Sequence, residues 1–100
     1  MSKFVVLVNY KKPLEEIDHY LAVHRSFLDE GYQQDFFIAS GSQNPRKGGV
    51  IISQLTDKAQ LERILRNDPF FIHDLADYEI IEFMPSKYHK NFHCFIEHKL

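Results

Sequence analysis

Lys3 to Tyr10, KFVVLVNY, is apolar on both of its alternating faces, with Phe4, Val6 and Val8 on one side and Val5 and Leu7 on the other. Successive strand side chains point to opposite faces, so this run predicts an internal strand covered on both sides. Beyond it, Pro13 suits a first helical turn, Glu15 and Glu16 suit the positive helix start, and Gly31 supplies a stop. The expectation is one helix over roughly 14–30. Two more strands, QDFFIAS at 34–40 and GVIISQ at 49–54, flank a loop of turn formers at 41–48 and form a long-looped hairpin. Thr56 or Asp57 can cap a second helix carrying Leu61, Ile64 and Leu65, and Asp68-Pro69 reads as N-cap and N1 of a short third helix. YEIIEFM, 78–84, is the last strand, ended by Pro85.

The order β-α-β-β-α-(α)-β is the split pattern of a ferredoxin-like α+β sheet with both main helices on one face. The opposite face would be bare, yet the strands place apolar side chains on both faces. Phe36, Phe37, Ile51, Ile52, Ile80 and Ile81 are among these side chains, and a monomer would expose too large a patch. The expectation is a homodimer that packs sheet against sheet.

One hundred residues suit one core rather than two. The domain is expected to span 1–87, with 88–100 as a C-terminal extension. A formal charge of −2 with histidines neutral, and basic residues scattered along the chain, argue against nucleic acid as partner. Met-Ser-Lys leads straight into the first strand with no long apolar stretch, so neither a signal peptide nor a membrane span is expected. The single cysteine, Cys94, cannot form an internal disulfide. A cytoplasmic protein is the resulting expectation.

On the first helix Leu14, Ile17, Leu21 and Leu28 form an inward stripe, and His24 occupies the gap in it. His19 lies off that stripe and is expected to be solvated. Two readings of His24 follow: a core histidine satisfied by a backbone carbonyl, or a working imidazole. Asp68 has its own local explanation as a helix cap, but a second carboxylate oxygen can also orient an imidazole and fix its tautomer. The spacing leaves open whether they meet. On a helix begun at Leu14, His24 lies about 15 Å along the axis, a gap that shrinks if residues 14–20 form a separate turn.

Taken in order, PLEEID, HRSFLDEGY, FIASGS, NPRKGGVII, NDPF and LADYEIIEFMPSK resemble the YciI-like (YCII-related domain) family over residues 3–87. The resemblance implies a dimeric α+β barrel of ferredoxin-like protomers, with a cleft holding a His-Asp dyad at the positions of His24 and Asp68. It also implies acid–base chemistry without a cofactor, of lyase or isomerase type, on a small polar or aromatic metabolite. Activities assigned in the family include a dehydrochlorinase acting on a chlorinated hydroxyquinol, and the fold is similar to that of muconolactone isomerase. The competing expectation is a non-catalytic homodimeric module that binds a small ligand or serves in assembly.

This chain departs from the family pattern at Ser40-Gly41-Ser42, where Ser-Gly-Pro is usual, and at Gln34-Asp35, where a glycine is common. Ser40 and Gly41 are expected to line the cleft, and Arg46, beside Lys47 and two glycines, to hold an anionic substrate. An ordinary strand end and a solvated hairpin loop explain the same residues. Arg25 is expected at the surface or at a dimer contact. In the tail, His89 and His93 with Cys94 or His98 match no established zinc spacing, so no metal is expected. Phe92, Phe95 and Ile96 suggest instead a tail docked on its own or the partner protomer.

Overall fold

In the computed structural model, which describes residues 1–97, the chain forms a four-stranded antiparallel sheet in the order β2-β3-β1-β4. The strands are β1 (Lys3–Tyr10), β2 (Phe37–Ser42), β3 (Gly48–Ser53) and β4 (Ala76–Phe83). β1 is internal, as its two apolar faces require, and pairs Val6 with Ile51 of β3 and with Ile80 of β4. Phe4, Val6, Val8 and Ile51 point into the core, where they meet Ile17, Leu61, Leu65 and Phe70 from the helices. The order and the helix placement are those of the ferredoxin-like fold.

The first helical segment is not one helix. It breaks at Tyr20 into α1 (Leu14–His19) and α2 (Leu21–Gln33), with Tyr20 at φ −106° and ψ 7°. The Tyr20 ring stacks on His73 at 4.2 Å, a contact that sequence spacing does not register. Leu14, expected on the buried stripe, is 41 % exposed, whereas Ile17 is fully buried.

Gly31 does not stop α2 either. It sits inside the helix, buried, and a Cβ there would overlap the Phe37 ring, so the residue is small for packing. The stop comes four residues later. Asp35 takes the left-handed conformation at φ 62°, while its N–H and that of Phe36 donate to Tyr32 O and Gly31 O. That is a Schellman ending with aspartate in the usual glycine place. Gln54 holds the turn by donating to Asp35 O at 2.8 Å.

α3 (Lys58–Leu65) is capped by Asp57, which accepts from Ala59 N, and α4 (Pro69–Ile72) by Asp68, with Pro69 at the first helical position. A 3₁₀ turn (Lys90–Phe92) and α5 (His93–Glu97) follow β4. Here the tail packs back on its own chain: Phe95 is buried and its ring lies 5.6 Å from Lys3 Nζ. Burial pulls the Lys3 pKa down, partly offset by Glu97.

No helix among the described residues is long and apolar enough to cross a membrane. His89 Nδ1 accepts from Asn91 N–H, and no group of three His, Cys, Asp or Glu among the described residues is placed to hold a metal. His98 lies outside the described residues.

Candidate active site

The break at Tyr20 decides the geometry of the site. With α2 starting at Leu21, His24 falls in its first turn, about 4.5 Å along the axis rather than 15 Å. Its N–H donates to Tyr20 O at 3.0 Å, and its ring reaches α4. His24 Nδ1 lies 2.7 Å from Asp68 Oδ1, with the two side chains 12 % and 0 % exposed. The imidazole stacks flat on Phe70, 4.0 Å between centroids and 5° between planes. Ring stacking and the carboxylate together fix its rotation.

Asp68 is a buried carboxylate with every side engaged. Oδ1 accepts from Phe70 N–H at 3.0 Å, the capping bond, and Oδ2 accepts from the Tyr78 hydroxyl at 2.6 Å. Both oxygens therefore act as acceptors, one toward the α4 backbone and the other toward the phenol. His24 Nδ1 faces the same Oδ1, and a proton carried on Nδ1 completes the set of donors to the carboxylate. Nε2 is left with a lone pair and no partner among the described residues.

Beside the ring opens a cavity of about 340 Å³ between α2, β2 and β3. Its lining includes His24, Ser40 and Gly41, so three of the expected site residues share one space. Arg46 is not among them. Its guanidinium is committed to Asp18 at 2.5 Å, which ties the β2–β3 loop to α1 and raises the arginine pKa while lowering that of the aspartate. The structure thus places Arg46 outside this cavity and in a local ion pair.

The cation in the cavity is Arg25, which makes no side-chain hydrogen bond or ion pair among the described residues. Tyr32 was also missed; its hydroxyl shares a hydrogen bond of 2.5 Å with Ser40 Oγ inside the cavity. Helical spacing could have found it, because His24, Leu28 and Tyr32 recur at intervals of four along one face. Tyr78 needed the β1–β4 register, which pairs it with Val8 on the core side of the sheet.

A ferredoxin-like α+β domain with a buried carboxylate–imidazole pair opening on a ligand-sized cavity is the class that fold and geometry define. Residues 3–84 match the YCII-related domain, and the chain belongs to that family. Among solved structures it is similar to the 5-chloro-2-hydroxyhydroquinone dehydrochlorinase (TftG) from Burkholderia phenoliruptrix AC1100, seen in complex with 2,5-dihydroxybenzoquinone. That match has 17 % identity and a TM-score of 0.69, and covers 91 % of this chain and 98 % of the other. At this identity the likeness shows a shared fold. SnoaB, a cofactor-independent oxygenase from Streptomyces nogalater, is more distant, with 16 % identity, a TM-score of 0.48, and coverage of 89 % and 96 %. Among curated proteins no sequence matches.

Proposed function

We propose that the protein is a small enzyme in which His24 Nε2 moves a proton to or from a bound metabolite, with Asp68 as its orienting carboxylate. The observation that carries this reading is the 2.7 Å contact between Nδ1 and a fully buried carboxylate, beside an open cavity. A sealed apolar surround would have favoured a core histidine instead. The chemistry is lyase- or isomerase-type and needs no cofactor in this reading, because proton removal and return by one imidazole suffices for it.

Arg25 and Asp29 supply one cation and one carboxylate around the cavity, and Ser40 and Tyr32 two hydroxyls, which suits a small polyhydroxylated substrate. The similar dehydrochlorinase acts, by its name, through loss of HCl. Such an elimination needs a base, and that is the role assigned here to His24.

The test is a panel of small chlorinated and unsaturated hydroxy-carbonyl compounds followed by ultraviolet absorbance. Wild type is expected to turn over at least one member. His24→Ala should lower that rate by about 100- to 10,000-fold while staying folded, and Asp68→Asn should lower it as well. Undiminished turnover in His24→Ala contradicts the reading. Compounds that bind and are never converted would favour a binding module.

We infer also that two copies pack through the sheet face opposite the helices. Ile81 and Phe83 are each 41 % exposed there, and Val5, Leu7, Val50 and Ile52 are only partly covered. An apolar patch of this kind on a sheet face marks an interaction surface. Sedimentation should give the mass of a dimer at micromolar concentration; a monomer contradicts it. A cytoplasmic setting accords with the free, exposed Cys94.

A further inference from the structure

We propose that Tyr78 is a positioning residue of the dyad, its phenol fixing the Asp68 carboxylate and moderating the basicity that Asp68 confers on His24. The inference rests on the catalytic reading of His24 and extends it to a residue on another element that does not reach the substrate.

The geometry is specific. Asp68 side-chain oxygens receive three donors: His24 Nδ1 and Phe70 N on Oδ1, and the Tyr78 hydroxyl on Oδ2 at 2.6 Å. Among the described residues Tyr78 is the only donor to Oδ2. Without it, a fully buried carboxylate oxygen would be left unsatisfied, a state that folded proteins avoid. Tyr78 is absent from the cavity that His24 lines and instead walls a separate cleft between α3, α4 and β4. It therefore acts through Asp68 and not on a ligand beside His24.

The direction of the effect follows from charge. Each donor to a carboxylate draws negative charge toward itself and leaves less to stabilise a neighbouring imidazolium. Burial first, and then the Asp68 charge, push the Tyr78 pKa up, so the phenol stays protonated and remains a donor. Tyr78 accordingly fixes the Asp68 carboxylate while restraining the proton affinity of His24. Phe71 meets the phenol ring edge-on at 6.1 Å and helps to hold it in place.

Other charges near the pair are separable from the hydroxyl. On the cavity side these are Arg25 and Asp29 of α2, with the Tyr10 and Tyr32 phenols. On the cleft side they are Lys58 and Glu62 of α3 and Arg66 just past its end. Tyr78→Phe removes one oxygen and leaves all of them in place.

The experiment is titration of His24 by NMR in the full chain, without ligand. In Tyr78→Phe the His24 midpoint should rise by about half to one pH unit, a 3- to 10-fold gain in proton affinity. If that variant folds poorly, 3-fluorotyrosine at position 78 keeps the ring and makes a stronger donor, so the midpoint should fall. A midpoint that stays put in both, or moves against these directions, overturns the proposal even if the melting temperature changes. No substrate enters the titration, so its failure would remove Tyr78 from the mechanism while turnover in His24→Ala still judged His24.

Discussion

Two helices of this protein start in the same way and do different things. Asp57 caps α3 by accepting from Ala59 N–H at 3.0 Å, and Asp68 caps α4 by accepting from Phe70 N–H at 3.0 Å. Local chemistry cannot tell them apart. Asp57 is exposed and caps its helix, whereas Asp68 is fully buried and also takes His24 on Oδ1 and Tyr78 on Oδ2. A cap becomes a candidate catalytic carboxylate when the fold withdraws it from water and brings further donors to it. The residue type and the turn are unchanged.

The largest difference between the two should appear on truncation. Asp68→Ala leaves three buried donors without an acceptor and should cost about 3–5 kcal/mol in urea unfolding. His24→Ala comes next, at about 1–3 kcal/mol, since it removes a donor to a buried carboxylate and the stack on Phe70. Asp57→Ala should cost only about 1 kcal/mol, the ordinary worth of an exposed cap. Equal losses at positions 57 and 68 would reduce Asp68 to a cap.

The smallest effect concerns surface carboxylates that neither cap nor catalyse. Hydrogen bonds from Arg46 and Lys11 hold the Asp18 and Asp74 carboxyls below the ordinary carboxylate range. Folding therefore favours their ionised forms. Their contribution is complete above about pH 4 and lost as the pH falls through the lowered folded-state values. Both pairs are exposed and screened, so a melting-temperature series down to about pH 3 should differ only slightly between wild type and Asp18→Asn, with wild type losing more on acidification.

Much of the fold was legible because it is written locally. Two-sided apolar alternation marked β1 as internal, and Asp57, Asp68 and Pro69 marked two helix starts. What escaped depends on partners distant in sequence. The break at Tyr20 goes with a stack on His73, and Gly31 is small because Phe37 crosses it. The end of α2 was missed because Asp35 adopts a conformation usually left to glycine. At the site, periodicity turned His24 inward and capping chemistry explained Asp68, but neither fixed the 2.7 Å between them. Loop composition likewise does not disclose the ion pair of Arg46 with Asp18.

The central claim is that a buried carboxylate holds the His24 proton on Nδ1 and leaves Nε2 free toward the cavity. Long-range proton–nitrogen correlation on labelled protein, above the His24 midpoint, reads the tautomer directly. The neutral ring is expected to carry its hydrogen on Nδ1 in wild type and to lose that preference in Asp68→Asn. A neutral His24 protonated on Nε2 in the wild-type protein would contradict the account.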